Sequence, residues 1–219
     1  MHLFDLKVMK KIIKAIISAV CCLWSRVYTY SMSLWLKNKS DLLYTLWIKN
    51  YLGQVGDETL FSYPLRLQGG GSRKIIIGDR CHFDPFVVLG CWKQYHDEIF
   101  NPFIVIGDDC NIGECSHVTA INKVTIGDGL LTGRFVYIGD NSHGGLSLEE
   151  ANILPVKRKL LSKGEINIGR NVWIGDKVTI LGGVTIGDNV IIGANSVVTH
   201  DIPSNSVAAG MPAKVVKKL

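Results

Sequence analysis

The sequence predicts an all-β solenoid of parallel strands, about five triangular coils long, with a helical arm ahead of it. The first observation is a period of six: an aliphatic residue recurs at Ile168, Ile174, Ile180, Ile186, Ile192 and Val198. The second is a companion four places on, at Val172, Val178, Val184, Val190, Ser196 and Ile202, with Gly after most of the first positions. The third is that the same ruler runs backwards through Ile138, Thr132 and Ile126, slips by two, and resumes at Val118, Ile112 and Ile106, then at Leu89, Phe83 and Ile77. Six is not a helical period, and a six-residue unit is too small to enclose a core, so units must coil and stack on one another. Fifteen units make five triplets, and three short strands per coil give a triangular prism. Gly is expected at corners that need positive φ, and Asp or Asn where turn amides need acceptors.

The arm comes first, over 1–52. Ile12, Ile13, Ile16, Ile17, Val20, Leu23 and Trp24 recur at helical spacing as one apolar stripe, accompanied by Lys7, Lys10, Lys11, Lys14 and Arg26. Its uninterrupted apolar run falls well short of the roughly 20 residues that span a bilayer, so the helix is expected to lie on something. Two readings stay open: packing on the protein's own assembly, or residues 1–30 resting on an anionic membrane surface. A second helical pattern follows at Leu42, Leu43, Leu46, Trp47 and Tyr51. Residues 53–74, with Pro64 and the run Gly69, Gly70 and Gly71, suit a linker and cap. The solenoid domain takes 75–219, interrupted by loops at 90–103 and 143–165. Loops inserted into solenoids tend to line a binding face, and the first carries Trp92, Tyr95, His96 and Asp97, as a substrate wall or as plain decoration.

Charge and cysteines narrow the classes. Residues 1–52 hold eight basic and two acidic side chains, which leaves 16 against 17 in the rest of the chain. A near-neutral solenoid argues against a nucleic-acid partner. The six cysteines form no CxxC pair and no disulfide-type spacing, so they read as reduced thiols, with Cys81 and Cys110 at inward positions. With no signal-peptide pattern, the expected location is cytoplasmic, with the inner face of the membrane as the peripheral alternative.

The repeat resembles that of the hexapeptide-repeat acyltransferases, over roughly residues 75–216, and the ending Ala208, Ala209, Gly210, Met211, Pro212, Ala213 and Lys214 is similar to the family's C-terminal turn. The resemblance implies a left-handed parallel β-helix, usually a homotrimer, that carries acetyl from acetyl-CoA to an acceptor without a metal. It also implies roles. His143, in Asp140-Asn141-Ser142-His143-Gly144-Gly145, matches the catalytic base of the galactoside and maltose enzymes. His117, Asn141 and Trp173 are the acceptor-side candidates. Asp176, Ala194, Thr199, His200, Lys214 and Lys217 match positions that contact coenzyme A.

The chemistry agrees with that assignment. A hydroxyl is a poor nucleophile at neutral pH, and an imidazole with a pKa near 6.5 can take its proton as it attacks a thioester. The expected function is therefore an O-acetyltransferase acting on a hydroxyl of a sugar or glycan precursor. Asn141, Glu149 or a backbone carbonyl could orient His143. Two other classes stay open: a zinc-dependent carbonic anhydrase using His82, His117 and His143, and a non-catalytic β-helix scaffold.

Overall fold

The computed structural model describes residues 2–145 and 147–219, with side chains from residue 6 onward. Met1 in the arm and Leu146 in the second loop lie outside the described residues. The chain divides into two compact units, 1–42 and 43–219.

In the first unit, α1 (His2–Val27) is followed after a two-residue break by α2 (Tyr30–Ile48), whose last turns belong to the second unit. On α1 the positions Ile12, Ile16, Val20 and Leu23 fall on one side, and Lys7, Lys11 and Lys14 fall on the other. Among the described residues, no helix is long and apolar enough to cross a membrane.

The second unit is a prism with three parallel sheets as its faces. The first face stacks Gln54–Val55, Ile75–Ile77, Phe103–Ile106, Lys123–Ile126, Ile166–Ile168 and Thr185–Ile186. The second runs from Leu60–Phe61 through Asn111–Ile112 and Trp173–Ile174 to Ser206–Gly210, where the last strand, Ala213–Lys218, folds back antiparallel. The third stacks Arg66–Gln68, Val88–Cys91, His117–Ala120, Tyr137–Gly139, Thr179–Leu181 and Val197–Val198.

The register follows the period of six. Ile77, Ile106, Ile126, Ile168 and Ile186 pair in one continuous ladder, and each is at most 3% exposed. Each such isoleucine contributes about 1.5–3 kcal/mol of hydrophobic stabilisation. The two-residue slip falls at a corner, at Ile121 and Asn122, between the third face and the first. There Asp140, 1% exposed, accepts from the amides of Ile121 at 2.9 Å and Asn122 at 2.8 Å. A buried carboxylate thus satisfies the two donors that the slip leaves outside the ladder.

Two features differ from expectation. The segment 53–74, expected as linker and cap, includes a sixth coil, with strands Gln54–Val55, Leu60–Phe61 and Arg66–Gln68 paired in parallel to the next coil. It closes the end of the core through Phe61 and Leu65, and α2 seals it: the Tyr44 hydroxyl donates to the Leu65 carbonyl at 3.1 Å and Phe61 N donates to Thr45 Oγ1 at 2.9 Å. Leu43, Leu46, Trp47 and Tyr51 stand exposed while Ile48 and Leu52 are buried.

The corners differ as well. Positive φ is taken mostly by residues other than Gly, among them Arg80, Asp109, Asn171, Lys177, Asn189 and Asn195. The Gly after each aliphatic residue answers a different demand, close approach of the next coil. A Cβ on Gly175 would lie 2.6 Å from Ala194 N, and one on Gly127 would lie 2.9 Å from the Gly169 carbonyl carbon. Asp and Asn do serve the turns: Asp79 N donates to Asp108 Oδ1 at 2.9 Å, Arg170 N to Asp188 Oδ1 at 2.7 Å, and Asn171, Asn189 and Asn205 form a side-chain ladder.

Candidate active site

The site forms where the prism's periodicity breaks. After Tyr137–Gly139 the chain leaves the third face, and Asn141–His143 pairs antiparallel with Leu160–Ser162, so the excursion at 143–165 is rooted in a hairpin. Inside it Ser147 caps the short helix Leu148–Ala151, Gly145 N donates to Glu150 Oε2 at 2.6 Å, and Arg158 donates to the carbonyls of Ile153 and Ala151. The excursion at 90–103 leaves the same face two coils earlier and makes its own hairpin, Gln94–Tyr95 against Glu98–Ile99. The two are bonded together. The Tyr95 hydroxyl donates to the Val156 carbonyl at 2.9 Å, His96 Nε2 lies 2.8 Å from the same oxygen, and Leu160 N donates to Glu98 at 3.2 Å.

His143 is exposed at the root of this hairpin. The Tyr95 ring meets its imidazole edge-on, with centroids 5.2 Å apart. Two cavities open beside it. The smaller, about 230 Å³, has Trp92, Tyr95, His117, Tyr137, Asn141 and His143 in its wall. The larger, about 680 Å³, is bounded by Asn141, Ser142, His143, Arg158, Lys163 and Gly182 among others. Asn141 and His143 are common to both. A base reaching both cavities can take a proton from a group in one while a carbonyl in the other is attacked.

His117 sits one coil from Tyr137 in the same outward slot, and the rings meet edge-on at 5.6 Å. Its Nε2 is buried without a protein partner, and burial pushes the imidazole pKa down. Burial, and secondarily the nearby Asp140 carboxylate, push the Tyr137 phenol up.

The remaining expected residues occupy two different parts of the prism. Thr199 and His200, whose side chains lie 2.8 Å apart, follow the strand that stacks on Thr179–Leu181, one coil beyond Gly182 of the larger cavity. Trp173 is on the second face, where Trp173, Ile191, Val207 and Lys217 form one cross-strand column. Asp176 and Ala194 are at the corner leading from that face to the third, and the Asp176 carboxylate accepts from Arg134 N at 2.9 Å. Lys214 is exposed on the returning strand. Within one chain, then, His117, Asn141 and His143 come together, and Trp173 does not join them. His82 stands on the second face beside Asp84, and among the described residues no group of three metal-ligand side chains forms.

Tyr137, Arg158 and Lys163 are further wall residues. Tyr137 is detectable in principle, because it shares a repeat slot with His117 one coil earlier. Arg158 and Lys163 lie in a loop with no period to place them.

Comparison with known proteins agrees with this architecture. Residues 165–200 match the family model described as bacterial transferase hexapeptide (six repeats). WbbJ of Escherichia coli K12, named for O-acetyl transfer in lipopolysaccharide biosynthesis, is 41% identical over 119 residues, which cover 52% of this chain and 60% of that protein. The galactoside O-acetyltransferase of the same strain is 46% identical over 101 residues, 44% of each chain. The matches thus span about half the length of these relatives. Among solved structures, the N-acyltransferase AntD of Bacillus cereus, in complex with dTDP and 3-hydroxybutyryl-CoA, superposes with a TM-score of 0.63 at 18% identity over 79% of this chain and 86% of its own, a likeness of fold. The prism is a left-handed parallel β-helix.

Proposed function

We propose that this chain, whose C-terminal coils are bacterial transferase hexapeptide repeats, is an O-acetyltransferase that moves acetyl from acetyl-CoA to a hydroxyl of a sugar or glycan precursor. The observation that carries this reading is the position of His143 in the wall common to both cavities. The acceptor occupies the smaller cavity and the thioester end of acetyl-CoA the larger. His143 takes the hydroxyl proton as the oxygen attacks the thioester carbonyl. The tetrahedral adduct collapses, the carbon–sulfur bond breaks, and the imidazolium returns its proton to the departing thiolate of coenzyme A. The names of WbbJ and the galactoside enzyme support the reaction class.

The working unit in this reading is a homotrimer. Trp173, Asp176, Ala194, Lys214 and Lys217 belong to the second face and its edges, so a neighbouring copy is what brings such residues opposite His143. Lys214 and Lys217 then meet the phosphates at the nucleotide end of the cofactor. The enzyme works in the cytoplasm, and α1 attaches it peripherally to an anionic membrane surface, because its lysines and its apolar stripe occupy opposite sides.

A panel of glycan acceptors with radiolabelled acetyl-CoA tests the reaction. Label in an acceptor is expected, and label only in free acetate overturns the assignment. Light scattering with simultaneous assay tests the trimer, which a fully active monomer contradicts. For the arm, a truncated chain starting at residue 43, which keeps Tyr44, Thr45, Ile48 and Leu52 on the end of the prism, should lose the salt-sensitive sedimentation with anionic liposomes that the full chain shows. Equal sedimentation of the full and truncated chains removes the membrane role.

A further inference from the structure

The smaller cavity has a chemistry of its own. Its wall carries Trp92 and Tyr95 from the 90–103 excursion, His117, Thr119 and Tyr137 from the third face, and Asn141 beside the base. None of these is a permanently charged side chain. The neighbouring cavity, by contrast, has Arg158 and Lys163 in its wall. The larger cavity thus holds charges of both signs, since Asp140 is in its wall as well, whereas the smaller one offers no fixed charge to an anionic group.

Size and polarity narrow the occupant further. At about 230 Å³ the space lies below the roughly 300–1,000 Å³ of pockets for drug-sized ligands, a size that suits a single ring. Aromatic side chains offer surfaces for the C–H face of a sugar ring. The polar groups His117, Thr119 and Asn141 suit its hydroxyls. His117 gives the clearest signal, because its Nε2 is buried without a protein partner and a buried polar atom calls for a hydrogen bond. A neutral imidazole, which its burial favours, offers one N–H and one lone pair, a match for a hydroxyl and a poor one for a phosphate.

We propose that this cavity is a subsite for one neutral monosaccharide unit, in which His117 Nε2 hydrogen-bonds a hydroxyl other than the one His143 deprotonates. The pattern of hydroxyls on the ring then decides which acceptor is used. The assignment of His143 rests on the acetyl-transfer reading; binding of the ring does not.

The test is a binding titration of the full chain, in the presence of coenzyme A, with methyl glycosides of glucose, galactose and N-acetylglucosamine and their monodeoxy analogues, followed by saturation-transfer NMR. Wild type should lose about tenfold or more in affinity for the analogue that lacks one particular hydroxyl. In His117→Ala, the parent glycoside and that analogue should bind within about twofold of each other, since the partner is gone from both sides of the cycle. His117→Gln, which keeps a donor and an acceptor, should retain part of the discrimination and guards against loss of fold in the smaller variant. Unchanged discrimination in both variants overturns the proposal. So does the absence of glycoside binding in a protein that still binds acetyl-CoA, or a preference of more than about tenfold for glucuronate over glucose. A protein that binds glycosides but neither binds nor consumes acetyl-CoA would retain the subsite and lose the acetyltransferase.

Discussion

From 166 to 202 the chain repeats itself, whereas at 90–103 and 143–165 it does not. In the repeating run, inward residues such as Val178, Ile180, Val190 and Val198 are fully buried, and the corners are tied by the Asp and Asn ladders. The excursions bury little and are held by long-range hydrogen bonds, such as Tyr95 to Val156. Yet the walls around His143 draw on these excursions and on the face they leave. Periodicity builds a rigid post, and the candidate site gathers where periodicity fails and side chains are free to converge.

Equal truncations in the two regions should therefore have unequal costs. Ile180→Ala removes a fully buried side chain from the ladder and should destabilise by about 2–5 kcal/mol. Leu148→Ala, in the excursion and 86% exposed, should cost no more than about 0.5 kcal/mol. Denaturant titration of both variants checks the pair, and similar losses would break the comparison.

The same contrast explains what the sequence discloses. The inward register is readable residue by residue from 77 onward, because each position repeats a demand made six residues before. The coil at 54–68 keeps the same period, with Val55, Phe61 and Leu67 paired to Ile77, Phe83 and Leu89, but Pro64 and the run Gly69, Gly70 and Gly71 give the segment the look of a linker and mask it. His143 is legible from its place after a repeat and from the family resemblance. Its neighbours are less so: Tyr95 and Val156 meet across 61 residues, a proximity that no local pattern encodes. Asp140 stands out in the sequence only as a neighbour of His143, and its work at the slip corner emerges when coils are stacked. At the corners, expectation and structure agree on the acidic and amide side chains that serve the turns. They part over glycine, since backbone crowding, not positive φ, fixes most of these residues.

A smaller effect sharpens the comparison at those corners. Asn189 has φ 56° and bridges Asn171 and Asn205. Asn189→Ala forfeits the ladder and strains the backbone, costing about 1–2 kcal/mol, and Asn189→Gly should cost less, since Gly accepts this φ. Thermal melts separate the two, and the opposite order would contradict the account of the corner.

The smallest effect lies at the boundary between the regions. Burial lowers the pKa of His117 in the folded chain. The unfolded chain takes up that proton first as pH falls, so the contribution to stability is complete above about pH 6.5 and declines as pH drops toward the lowered folded value. His117→Gln should flatten this part of the stability–pH curve, measured by urea titration between about pH 7 and 5. An unchanged slope would mean that His117 is not held neutral.

The central claim is that His143 acts as the base between two cavities. Its most direct test is turnover of acetyl-CoA with a sugar acceptor by wild type and His143→Ala, with coenzyme A affinity measured separately by calorimetry. The account predicts unchanged cofactor affinity and a kcat lower by about 10²- to 10⁴-fold. Normal turnover by His143→Ala would contradict it.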